Sequence, residues 1–186
     1  MPKKTICLIL FILFILVGAA QAQVSITYSS MGKQHFTMAI PDDWQVNVGS
    51  ETDPSQLPEE KKTPSRLISL MPNDGMPLWF GMWVPHYLEQ IEDGKEYMAS
   101  LGLDLLTDVV TTKHRFDTLN SMETYYISGT GKKEGETMEF YAAFFQLSQE
   151  SVGIAIYIGP HETTNIHGEE LVQMLHSLKP VKQSPP

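Results

Sequence analysis

Four groups of residues in this chain have types and spacings that suggest chemistry. His161 and His167 bracket a His-Glu-Thr-Thr-Asn-Ile-His segment that lies near the two-histidine helix of zinc peptidases. That chemistry needs histidines four apart, so that both ring nitrogens reach one metal from one helical face. Here the spacing is six and position 165 is asparagine, so the rings are expected on different sides, at the start of a helix. Residues 129–135, Gly-Thr-Gly-Lys-Lys-Glu-Gly, resemble a phosphate loop in composition. Such a loop leads from a strand into a helix and places Ser or Thr after its Lys, whereas this one joins two strands and offers Lys133, which makes it a basic hairpin tip.

Adjacent carboxylates occur at Asp42 with Asp43, Glu59 with Glu60, Glu92 with Asp93 and Glu169 with Glu170. Paired catalytic acids need a buried cleft that splits their pKa values, and these positions read as turns and exposed helix faces. Asp42 and Asp43 supply two carboxylates toward a weak divalent-cation site, fewer oxygens than the single cage that hard cations want. No Gly-x-Ser-x-Gly elbow occurs, so a serine nucleophile has no starting point. The fourth group is the densest aromatic patch, Trp79, Trp83, His86 and Tyr87. Aromatic side chains combine large contact area with polar tips. The patch therefore reads either as packing under a helix or as a groove for an apolar ligand or partner segment.

The elements that hold these residues follow from the pattern. Lys3 and Lys4, an apolar run over residues 6–17 and Ala20-Gln21-Ala22 make a secretory signal peptide of residues 1–22. The run is shorter than the roughly 20 residues that span a bilayer, so no stable membrane insertion is expected after cleavage. Cys7, the single cysteine, lies at the start of that run, away from the position that a lipid anchor requires. The remainder, residues 23–180, is one domain's worth of chain, with 181–186 as a flexible tail. The net charge is −9 and grows more negative without Lys3 and Lys4. Nucleic acid is a poor partner for such a chain, since phosphates are bound by clustered Lys and Arg.

Alternating apolar residues place strands at 24–29, 35–40 and 44–48. Pro41 stops the second strand, Asp42 and Asp43 turn the chain, and Trp44 re-enters the core. Residues 49–64 form a polar loop. Strands at 66–71 and 78–84 flank a Pro-Asn-Asp-Gly turn. Leu88, Ile91, Met98 and Leu101 sit at helical spacing, interrupted by Gly94. Four strands with short turns then span 109–158, an antiparallel meander. Leu171, Met174, Leu175 and Leu178 mark a C-terminal helix, with Lys179 near its end and Pro180 stopping it. The expected fold is α+β. It is an α/β/α sandwich around a mainly antiparallel sheet of about six or more strands, with one mid-chain and one C-terminal helix.

The strand ending Phe-x-x-x-x-Pro-Asp-x-Trp at 36–44, the long polar loop, the helix, the four-strand meander and the closing Leu-x-Ser-Leu-Lys-Pro at 175–180 resemble the PsbP-like superfamily. That group includes the eukaryotic Ran-release factor and small bacterial envelope proteins. The resemblance implies a non-enzymatic accessory or assembly factor acting through protein–protein contacts, and the signal peptide adds export to the periplasm or beyond, with an unknown envelope protein as partner. It carries over no catalytic residue, cofactor or metal site. The alternative from the residues themselves is a carrier of an apolar small molecule in an aromatic-lined groove.

Overall fold

The computed structural model describes residues 22–51 and 66–182. The expected signal peptide, apart from Ala22, lies outside these residues, as do Glu59, Glu60 and all of the expected tail but Val181 and Lys182. The chain runs through strands β1 (Gln23–Ser30), β2 (Lys33–Pro41), β3 (Trp44–Val48), β4 (Ile68–Pro72) and β5 (Trp79–Trp83). A 3-10 turn (Ile91–Asp93) leads into helix α1 (Gly94–Leu105). The meander follows as β6 (Thr107–Leu119), β7 (Met122–Lys133), β8 (Glu136–Ser148) and β9 (Ser151–Gly159), then helix α2 (His161–Ser177) and the short strand β10 (Lys179–Pro180).

The strands form two antiparallel sheets rather than one. Seven of them make a sheet in the order β3-β4-β5-β9-β8-β7-β6, and β1, β2 and β10 make a small three-stranded sheet. The corner at Pro41 to Trp44 carries the chain from the small sheet to the large one. Three hairpins turn on two residues with positive φ: Met31-Gly32, Asn120-Ser121 and Glu134-Gly135. Such turns match the right-handed twist of the strands that they join. At Asn120-Ser121 the turn is tight, with Leu119 and Met122 already paired on either side of it.

Register fixes the layers, because directly paired residues share a face. On one face Trp83 pairs with Ile154, Ile154 with Phe144, and Phe144 with Tyr125. Helix α1 covers this face, with Tyr97 packed edge-on against Phe144. On the other face Leu70, Phe80, Tyr157, Tyr141 and Ser128 follow one another across the sheet. Helix α2 covers part of it through hydrogen bonds of Tyr157 Oη with the Thr163 and Thr164 hydroxyls at 3.3 and 2.8 Å. The small sheet packs beside α2 on that same face, where Phe36 meets Phe145 edge-on. The two outer layers make the molecule the expected sandwich, with β9 and β8 buried in its middle.

Two helix boundaries differ from the sequence reading. Helix α1 starts at Gly94 instead of spanning it. A Cβ there would stand 2.8 Å from the Phe144 ring, so glycine lets the helix begin in contact with the sheet. Leu88 is buried but belongs to the loop before the helix. At the other end, α2 stops at Ser177, Leu178 is its C-cap, and Lys179 and Pro180 pair with Thr37 and Phe36. Edge pairing tolerates the proline, since β10 has a neighbour on one side only.

Close approach makes Gly129 sensitive. A Cβ there would lie 2.1 Å from the Val110 carbonyl oxygen, a backbone atom that cannot step aside. Gly129→Ala is expected to cost about 1–3 kcal/mol, as overpacking does, measured by urea denaturation. An unchanged midpoint would show that β6 and β7 are not paired in this register.

Candidate ligand-binding groove

Helix α2 carries two adjacent stripes. Thr163, His167, Leu171 and Met174 are buried and hold the helix to the sheet and to β2. Beside them Thr164, Gly168, Val172 and Leu175 advance at the same helical spacing and border a half-open groove of about 740 Å³. Its floor is the uncovered part of the sheet, with Tyr126, Ser128, Tyr141 and Tyr157 among its residues. Ala143 and Ala155 face each other across β8 and β9 and sink the floor beneath the helix. Lys113 and Arg115 of β6 form the opposite rim.

Apolar side chains stand open here. Tyr141 is 46% exposed and Val172 is 53% exposed, in a concavity of the size that holds small molecules. The Arg115 guanidinium lies 5.2 Å from the centroid of the Tyr126 ring, close enough for a cation–π contact. Arg115 also meets Asp117 at 3.4 Å in an exposed pair. Burial pushes the Tyr141 phenol above its ordinary range, with Glu139 and Tyr157 adding to it. Burial likewise raises Tyr126, assisted by Asp117 and opposed by Arg115. Both phenols therefore remain protonated hydrogen-bond donors at neutral pH.

The aromatic patch singled out from sequence is divided by the structure. Trp83 is 2% exposed beneath α1 and donates its indole N–H to Tyr97 Oη at 2.8 Å. Tyr87 packs on Tyr97 with ring centroids 5.8 Å apart, and exposed His86 stands edge-on to Tyr87. Trp79 shares a sheet face with Trp83 but lies over Gly81, where a Cβ would come within 2.2 Å of its ring. There it lines a second cleft of about 920 Å³, shared with Met71, Met138, Ile158 and the turn after β4. None of the four lines the groove beside α2.

A third constellation escaped sequence reading. His167 is buried and engages two carboxylates, Asp74 Oδ2 from Nε2 and Glu170 Oε2 from Nδ1, each at 3.0 Å. Trp44 donates its indole N–H to the same Glu170 oxygen at 2.8 Å and stands edge-on to the imidazole. Glu170 is therefore a held partner rather than the solvated charge expected. Burial alone lowers the His167 pKa, but the hydrogen bonds and charges of Glu170 and Asp74 outweigh it and raise the value. Both ring nitrogens are occupied, and none of these four side chains lines either cavity. The cluster acts as a clamp that ties α2, the β4–β5 turn and the start of β3 together. His161, by contrast, is exposed and bonded to Glu139, on a different side of the helix as its spacing requires. Among the described residues no three His, Cys, Asp or Glu side chains are grouped to hold a metal ion.

The groove left only a faint sequence signal, because missing side chains create it. The signal is the pair Ala142-Ala143 inside an otherwise aromatic strand, together with Gly168 inside a helix. For the clamp, the i,i+3 spacing of His167 and Glu170 on one helix face was visible, but Asp74 enters from a distant turn.

No protein-family model and no curated protein matches the sequence. Solved structures do match. Cyanobacterial PsbP from Synechocystis sp. PCC 6803 superposes with a TM-score of 0.60 at 7% identity, over 88% of this chain and 96% of that one. LpqN, involved in cell envelope biogenesis of Mycobacterium tuberculosis, gives a TM-score of 0.54 at 14% identity, over 86% and 92%. A Pseudomonas aeruginosa protein of unknown function gives 0.50 at 13% identity, over 86% and 99%. At such identities the likeness is one of fold, and the fold is PsbP-like.

Proposed function

We propose that this chain, with its PsbP-like fold, is an exported accessory protein without catalytic activity that carries an apolar small molecule in the groove beside α2. The observation that carries this reading is the groove itself. It is a concavity of about 740 Å³ in which Tyr141 and Val172 stand open to solvent. Exposed apolar surface gathered in a cleft marks a binding site, whereas the same residues scattered singly would not. The most enzyme-like constellation, His167 with its carboxylates, lines neither cavity, and both imidazole nitrogens are already engaged. The basic, apolar and small-residue sequence of the first 22 residues supports export. So does the envelope role of LpqN, one of the proteins that share the fold. No helix among the described residues is long and apolar enough to cross a membrane.

A second reading, assembly through protein–protein contacts, draws on β6. This edge strand exposes Val109, Val110 and Phe116, and an unpaired strand edge offers hydrogen-bonding groups to a partner.

One experiment separates the two. The protein is purified from the envelope of the cell that makes it, extracted with organic solvent, and the extract and retained proteins are identified by mass spectrometry. The carrier reading expects one apolar compound in near-stoichiometric amount, lost in Val172→Arg, which places a charge in the groove wall at a half-exposed helix site. An empty extract, with an envelope protein retained by the wild type but not by Phe116→Glu, would replace it with the contact reading.

A further inference from the structure

We infer that the groove takes a long-chain carboxylate of the fatty-acid class, its alkyl chain lying along α2 and its head at Lys113 and Arg115. This rests on the carrier reading and names its ligand. The shape comes first. The stripe from Thr164 to Leu175 advances at 1.5 Å per residue, so the wall is about 16 Å long and matches an extended alkyl chain of roughly a dozen carbons. A floor of paired alanines between tyrosines leaves a trough for one such chain.

Gly168 is the second observation. Glycine is the least favourable helix residue after proline, yet it sits in the middle of α2 on the groove wall. A Cβ there would meet nothing within 4 Å, so no packing contact requires its absence. What glycine does at this point is keep the trough wide.

The third observation is charge. On a chain of net charge −9, the groove has a cationic rim. Lys113 pairs with Ser128 and Arg115 with Tyr126, so both cations share the face that floors the trough. Among the described residues no carboxylate pairs with Lys113. The Asp117 partner of Arg115 is held in an exposed pair, an interaction of the weakest kind. At the Thr164 end, Glu139 is engaged by the Thr164 hydroxyl and by His161, and its charge repels an anionic head from that side. The carboxylate is thus steered to the β6 rim, where Arg115 offers a planar fork suited to it.

Equilibrium dialysis of the full chain against radiolabelled tetradecanoate, tetradecanol and tetradecylamine tests the inference. Any contribution of residues 1–22 is common to every variant. The expected result is saturable binding of tetradecanoate at one site, with tetradecanol bound at least tenfold more weakly. Lys113→Glu with Arg115→Glu, both on the exposed strand, is expected to reverse the order so that the amine exceeds the acid. Gly168→Leu is expected to abolish binding of all three while keeping or raising the thermal midpoint. Val172→Arg is a second blocking variant expected to act alike. Equal binding of acid and alcohol, unchanged by the charge reversal, would overturn the anionic head and leave the carrier reading standing. No saturable binding of any probe, or binding unaffected by both blocking variants, would overturn the groove as a carrier site as well.

Discussion

Replacing Trp83 by alanine is expected to lower the unfolding free energy by about 3–5 kcal/mol, the cost of deleting a buried aromatic side chain together with the cavity left behind. The indole is 2% exposed, lies between the sheet and α1, and donates to Tyr97 Oη. The cost therefore combines lost burial, lost contacts and a lost hydrogen bond. Trp83→Phe keeps most of the apolar volume and should cost less. Trp79→Ala is the control. That side chain sits only four residues away on the same face but is half-buried at a cleft, where solvent fills the space that it leaves. Urea denaturation of the three variants, read at constant m-value, checks the ordering. If Trp79→Ala proved as damaging as Trp83→Ala, the two tryptophans would share one environment, as the sequence allowed and the structure does not.

The second large effect belongs to the clamp. Removing His167 leaves Asp74 and Glu170 without the group between them. His167→Gln is expected to cost about 3 kcal/mol, the lower end for breaking a buried pair, since both carboxylates keep some access to water. The pH dependence carries a sign. His167 has its pKa raised in the folded state, so its contribution is complete below the ordinary imidazole value near 6.5 and disappears as the pH rises through the raised one. Asp74 has its pKa lowered, first by the Met76 backbone N–H and then by His167. Its contribution is complete above the ordinary carboxylate value and is lost as the pH falls through the lowered one. The clamp is therefore strongest between those two ordinary values, in mildly acid solution. His35, held low by burial, works in the opposite sense, so the quantity to measure is the difference between wild type and His167→Gln. That difference should shrink between pH 6 and pH 9, and a constant difference would show that the clamp holds without its charge.

What the sequence disclosed follows from how local each signal is. The corner at Pro41 to Trp44 was readable because proline ends a ladder and paired aspartates favour a turn. The hairpins of the meander were readable from their polar tips, and the burial of β8 and β9 from their apolar runs. Sheet membership was not readable. Nothing within residues 24–40 says that this hairpin leaves the main sheet, and β10 consists of two residues, one of them a proline. The clamp depended on Asp74 and His167 meeting across 93 positions, which no periodicity encodes. The aromatic patch was legible, and for Trp83 the packing under a helix is what the structure holds, but the groove beside α2 was not. Large side chains announce themselves in a sequence, while the groove is made by Ala143, Ala155 and Gly168, which are conspicuous only for what they lack.

The small sheet sets the order in which the molecule can be finished. Strand β2 needs β10 along its free edge, and the Ala39 backbone is bonded through its N–H to Ser177 Oγ, 138 positions later. Closing so long a loop comes late in folding, after the local hairpins of the meander have formed. A chain emerging N-terminus first from a ribosome or a membrane pore thus presents β1 and β2 early, with an unpaired edge that invites aggregation. A chain cut short before Lys179 would keep that edge open permanently. Lys179 and Pro180 thus close the small sheet, and a copy lacking them would show its open strand edge to any quality control that recognises one.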